Sequence, residues 1–167
     1  SDGSAASLTA IPAANITGTL PAIDGGSLTG ITTGKVLQVV SVEKSDTFTT
    51  TSTSFADITG LSVSITPSAT SSKILVLVDV GIGNASAGYT TNVRLMRDST
   101  AISVGDASSS RVQSTGNYVI NLYHIASVAV NKLDTPATTS SVTYKLQLKA
   151  EATSTADVNR PGNNNDN

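Results

Sequence analysis

The pattern that most constrains this chain is an alternation of apolar and polar residues with period two. Val142, Tyr144, Leu146, Leu148 and Ala150 alternate with Thr143, Lys145, Gln147 and Lys149. Successive side chains of a strand point to opposite faces, so such a run buries one face and wets the other. Leu61-Ser62-Val63-Ser64-Ile65-Thr66 alternates in the same way until Pro67 stops it. Ile74, Val76, Val78, Val80 and Ile82 share one face. Leu75 and Leu77 occupy the other, so this strand is expected to start buried on both sides.

Further apolar runs fall at 36–42, at Tyr89, Val93 and Leu95, and along one long strand through Tyr118, Ile120, Leu122, Ala126 and Val128. Weaker strands are expected at 46–51, 54–59 and 100–104. Clusters of Gly, Asp, Asn, Ser and Pro separate these runs, and none has a helical period. About eight short strands with turn signals between them predict an all-β, jelly-roll-like antiparallel sandwich over residues 35–160. The core must be Val, Ile and Leu, because the chain has only two Phe, four Tyr and no Trp. A core this thin is marginal in a small monomer, so burial against neighbouring subunits is expected.

Residues 1–34 read differently. Ile11-Pro12-Ala13 precedes Ile16-Thr17-Gly18, and Leu20-Pro21-Ala22 precedes Leu28-Thr29-Gly30. Ser7-Leu8-Thr9-Ala10-Ile11 is echoed by Ser27-Leu28-Thr29-Gly30-Ile31. Pro12, Pro21 and the recurring Gly exclude a helix. So short a segment cannot offset about 1–2 kcal/mol of backbone entropy per residue by itself. It gains stability by stacking on copies of itself, and only about two units are present, so the copies are expected on other chains. Three chains wound about an axis would turn Ile11, Ile16, Leu20, Ile23, Leu28 and Ile31 inward. A flexible linker is the competing reading, although linkers lack regularly placed Ile and Leu. The chain opens on Ser1 rather than Met, and is expected to be a fragment, a processed form or part of a longer protein.

Charged residues make up only 13% and the formal net charge is −2. Solubility is left to 24 Ser and 24 Thr. Nothing in this balance attracts nucleic acid or anionic lipid at long range. No run of 18 apolar residues offers a helical membrane span. The absence of Cys removes disulfides, thiolate metal sites and thiol nucleophiles.

No catalytic constellation stands out. His124 is the only imidazole, and its register with Tyr118, Ile120 and Leu122 predicts a core or subunit-interface position. Paired carboxylates are the mark of a glycosidase, but the only Glu residues are Glu43 and Glu151, and most Asp residues adjoin turn formers. Asp79 lies inside an apolar strand and is read as its exposed end. Arg94 and Arg97 are read as a solvated strand face or an intersubunit ion pair. No calcium loop and no cofactor motif is present, so neither metal nor cofactor is expected. The tail from 161 to 167 reads as an Asn-rich loop or frayed end. What remains is recognition by loops on a β scaffold, and the longest polar connections are 83–90, 105–117 and 131–141. Tyr89, Arg111 and Asn117 are the side chains there best suited to contact a sugar or a protein.

The stretch Leu8-Thr9-Ala10-Ile11-Pro12-Ala13-Ala14-Asn15-Ile16-Thr17-Gly18-Thr19-Leu20-Pro21-Ala22-Ile23-Asp24-Gly25 resembles the shaft repeats of bacteriophage tail fibres, especially those of marine phages. Gly34-Lys35-Val36-Leu37-Gln38, Ile65-Thr66-Pro67-Ser68, Lys73-Ile74-Leu75-Val76 and Val93-Arg94-Leu95-Met96-Arg97-Asp98 are similar to the tip or spike domains that come after such repeats. The resemblance implies a homotrimeric fibre on the virion, joined to other tail or capsid proteins and carrying a jelly-roll-like head. It implies attachment to a host receptor, a glycan or an outer-membrane component, with no enzyme and no cofactor. One departure is that a further strand is expected after Asn159-Arg160-Pro161-Gly162, where the chain has its Asn-rich tail. A capsid-decorating head fibre, a polysaccharide-degrading spike and a bacterial adhesin are the other readings.

Overall fold

A computed structural model describes residues 36–162. The chain divides into two units, Ser1–Leu37 and Gln38–Asn167, and the sheets belong to the second. The expected shaft at 1–34, with its inward Ile and Leu set, lies outside the described residues, as does the tail from 163.

The described residues form nine strands and no helix: β1 (Phe48–Thr50), β2 (Ala56–Ile65), β3 (Ile74–Asn84), β4 (Tyr89–Arg97), β5 (Thr100–Ile102), β6 (Gly116–Ile120), β7 (Ala126–Asp134), β8 (Val142–Ala150) and β9 (Ala156–Val158). Among them there is accordingly no helix long and apolar enough to cross a membrane. The strands build two antiparallel sheets. The first has the order β1-β9-β3-β7 and the second β2-β8-β4-β5, with β6 also paired to β4.

β5 and β6 lie end to end along one edge of β4: Leu95–Arg97 pairs with β5 and Tyr89–Val93 with β6. Thr115 joins them. Its N–H donates to the Val93 carbonyl at 2.8 Å, and its Oγ1 accepts the Leu95 N–H at 2.8 Å. Apart from the β4–β5 and β5–β6 links, every connection crosses from one sheet to the other.

Alternation decides which face of each strand is buried. Along β8 every second residue, from Val142 to Ala150, is buried. Val80, Ile82, Val128 and Val158 of the first sheet meet Val93, Leu95, Leu146 and Leu148 of the second in one core. Each such side chain contributes about 1.5–3 kcal/mol when fully buried. Each end of the core is closed by polar groups that find partners. At one end Arg97 Nη1 donates to both carboxylate oxygens of Asp134 at 3.0 Å, and the Tyr144 hydroxyl donates to Asp134 at 2.6 Å. At the other, Asn84 Nδ2 donates to Thr91 Oγ1 at 3.0 Å and Ser154 Oγ at 3.3 Å.

Several expectations change. The long strand through Tyr118 and Val128 is two strands in different sheets, separated by a turn in which the His124 N–H donates to the Asn121 carbonyl. His124 is exposed, because it sits in the crossing between sheets rather than on a ladder. Residues 36–45 belong to no strand, since the described residues offer that run no ladder partner. Leu75 and Leu77 are 60% and 68% exposed, so in the single chain the start of β3 is buried on one face only. The expected strands at 54–59 and 61–66 are one strand, β2, with a register shift between Asp57 and Ser62 and Gly60 at φ 88°. That irregularity bends an edge strand and blunts it against further pairing. Arg94 and Arg97 lie on opposite faces, and Arg97 is paired within the chain. Asp79 is exposed, as expected, but it lies in the middle of β3 rather than at an end, and it accepts a hydrogen bond from Ser127 Oγ.

Candidate functional site

The outer face of the second sheet carries two adjacent rows of polar side chains with opposite character. The first row crosses three strands. Arg94 pairs in register with Gln147, and Gln147 with Asp57. Every member is engaged. Arg94 Nε and Nη2 donate to Gln147 Oε1 at 3.1 and 2.7 Å, Gln147 Nε2 donates to Asp57 Oδ1 at 2.7 Å, and Lys145 Nζ reaches Asp57 Oδ2 at 2.8 Å. The Arg94 guanidinium also lies 3.9 Å from the centroid of the Phe55 ring, a cation–π arrangement. The hydrogen bond from Lys145, and then that from Gln147, hold the Asp57 carboxyl below its ordinary pKa.

Two residues along β4, the second row is Asn117–Asn92–Lys149, again in register across three strands. This row is open. Asn92 is 5% exposed, yet its carboxamide makes no hydrogen bond among the described residues. Lys149 has no carboxylate partner there, and its ammonium lies 5.9 Å from the Phe55 centroid. Around this row the surface sinks into a cleft of about 330 Å³, lined also by Thr90, Arg111 and Glu151. Glu151 is held in place by the Thr90 N–H, which donates to Oε2 at 2.8 Å, and hydrogen bonding to Thr90 lowers the carboxyl's pKa. The Arg111 side chain forms no ion pair among the described residues. The volume is at the lower end for a small-ligand site, and the walls offer amide, hydroxyl, carboxylate and cationic groups without an aromatic platform.

Of the three side chains singled out from the sequence, the structure brings Arg111 and Asn117 together in this cleft. Tyr89 is half-buried at the start of β4, with the parity of core-facing Val93 and Leu95, and does not line the cleft. Asn92, Lys149 and Glu151 escaped the sequence reading. Asn is a poor strand former, and its place between Thr91 and Val93 is the one local signal that this position serves something other than the ladder. The Lys149 ammonium was legible as outward-facing, but nothing local says which strands lie beside it.

Among the described residues, no group of three His, Cys, Asp or Glu side chains is placed to hold a metal ion. No family model matches the chain, and no curated protein matches it.

Proposed function

We propose that this chain is a tail-fibre-type surface protein of a virion, acting as a homotrimer, and that it attaches the particle to its host through the cleft on the second sheet. The cleft carries the reading: a rigid sheet presents an unsatisfied polar row beside a satisfied one, as a contact surface for a polar partner requires. The jelly-roll assignment of the head rests on strand order. Two sheets, β1-β9-β3-β7 and β2-β8-β4-β5, are linked almost entirely by crossings between them, the arrangement of paired Greek keys. Association of copies is supported by Leu75, Leu77 and Leu133, apolar side chains 57–68% exposed on one face of the first sheet. Three weak sites on one fibre, and several fibres on one particle, would give avidity through effective concentration.

The test uses the full chain. It is expected to scatter light as a trimer at micromolar concentration and to slow adsorption of the virus that carries it. A monomer at that concentration removes the fibre reading. A trimer that binds no host cell and leaves adsorption unchanged points instead to a decorating protein.

A further inference from the structure

We infer that the cleft around Asn92 takes an anionic sugar unit, a carboxylated or sulfated residue of a surface polysaccharide. The inference rests on the attachment reading and narrows its ligand class. It is carried by a largely buried amide that lacks a protein partner. A side-chain amide without a protein partner offers two donors and an acceptor to a ligand. Asn92 is a largely buried residue whose amide has no protein hydrogen-bond partner and stays open to the cleft, whereas the neighbouring row on the same sheet face is satisfied throughout. A polar ligand that donates to and accepts from this amide fills both roles.

The charges around the amide give the ligand its sign. Lys149 and Arg111 line the cleft, and neither has a carboxylate partner among the described residues. The one acid there, Glu151, is already engaged through Oε2 by the Thr90 N–H. Its free carboxylate oxygen suits a sugar hydroxyl, which is a donor, and not a second anion. The other cations of this face are occupied, Arg94 by Gln147 and Lys145 by Asp57. Two cations without an ion-pair partner among the described residues, Lys149 acting on Glu151 only through its field, match a ring with an acidic substituent and free hydroxyls when set beside amides and one acceptor. Without an aromatic wall the site does not select a neutral sugar by stacking. The chain as a whole has a net charge of −2, so this preference is local and does not come from a general basic surface.

The experiment titrates the full chain with three oligosaccharides of equal length: a uronate oligomer, a sulfated galactan oligomer and a neutral glucan oligomer. Calorimetry is run at low and at physiological salt. At least one anionic oligomer is expected to bind ten-fold or more tighter than the glucan, and the excess is expected to shrink with salt. The uronate and sulfate arms decide which acid the site takes. Arg111→Gln and Lys149→Gln together should reduce that excess to under three-fold while leaving the melting temperature unchanged. Asn92→Ala should weaken every oligomer that binds. If it fails to fold, Asn117→Ala on the exposed wall takes its place. Equal affinity for the glucan, an anionic preference that survives the double substitution, or no binding to any oligomer overturns the inference. Host-cell adsorption measured on the same samples keeps the two readings apart: cells bound without an anionic preference sink the ligand class alone, and cells not bound sink attachment itself.

Discussion

Asp134 and Asp157 are both buried carboxylates, 6% and 0% exposed, and they respond to pH in opposite senses. Burial opposes ionisation of Asp134, but hydrogen bonds from Tyr144 and Arg97 outweigh it and hold the carboxyl below its ordinary pKa. Its stabilising contribution is therefore present above the unfolded value of about 3.9 and is lost as the pH falls through the lower folded value. Asp157 is the reverse. Burial raises its pKa, and the hydrogen bond from Thr49 and the charge of Arg160 offset this only in part. Its Oδ2 has no hydrogen-bond partner among the described residues. A carboxyl with a raised folded pKa contributes stability below the unfolded value and loses it as the pH rises through the folded value. At neutral pH the charge on Asp157 is thus a net cost. Asp157→Asn keeps the acceptor for Thr49 and removes the charge. It should raise stability at pH 7 by on the order of 1 kcal/mol, the lower range for an unsatisfied buried polar atom. The gain should fade as the pH drops toward about 3, below the unfolded value, where the parent carboxyl is itself protonated. Urea unfolding across the acid-to-neutral range measures this, and a loss of stability at neutral pH would mean that pairing with Arg160 dominates.

At the scale of elements, the shortest strands of the first sheet include β9, which depends on the residues that come after it. β9 has three residues, wedged between β1 and β3. Beyond it Asn159 turns at φ 59°, its N–H donates to the Gly81 carbonyl at 2.9 Å, and its Nδ2 donates to the Lys44 carbonyl at 2.7 Å. Residues 160–162 then fold back over the outer side of β3, which is why outward-pointing Asp157 is buried. The close approach needs Gly83: a Cβ there would collide with the Arg160 carbonyl oxygen. Gly83→Ala should displace the returning segment and cost about 1–3 kcal/mol, the usual range for overpacking. Hydrogen exchange should rise at Ala156–Val158. Unchanged stability and protection would show that the segment does not press on β3.

Much of this was legible in the sequence and some was not, for reasons that differ by element. β3 and β8 were plain, because a half-buried strand writes its period into the sequence. The break between β6 and β7 was hidden, because Asn121, Leu122, Tyr123 and His124 contain no Gly or Pro and continue the alternation across a change of sheet. β9 was missed because three residues cannot display a period. The end of β7 resembled a loop because Asn131 is polar on its outer face and Lys132 and Asp134 are charged on the inner one. In the cleft, loop chemistry pointed to Arg111 and Asn117. Asn92 and Lys149 needed the register, which is a long-range property that no local window contains.

For the whole molecule, the outer face of the first sheet presents a cluster of apolar side chains to water. Leu75 and Leu133 are a cross-strand pair, and Leu77 lies two residues further along the same face. Cross-strand apolar pairs normally sit against something. Val39, Val40 and Val42, in the run without a ladder partner, are 80%, 37% and 41% exposed. Under the proposed trimer these residues meet sister copies. Leu77→Asp with Leu133→Asp should then shift sedimentation from trimer toward monomer while the melting of the separated chain stays within about 0.5 kcal/mol of the parent, since both side chains are exposed in one copy. A double variant that still sediments as a trimer would place the contact elsewhere.

The joint at Thr115 has a consequence for how such a molecule diversifies. Its hydroxyl accepts from Leu95 and lies 3.4 Å from the Ile102 carbonyl, so both banks of the intervening excursion are moored to the same edge of β4. The stretch from 104 to 112, which includes Arg111, crosses no ladder. Under the proposed attachment, exchanging its length and chemistry should leave the chassis its geometry, so a change of specificity need not be a change of fold.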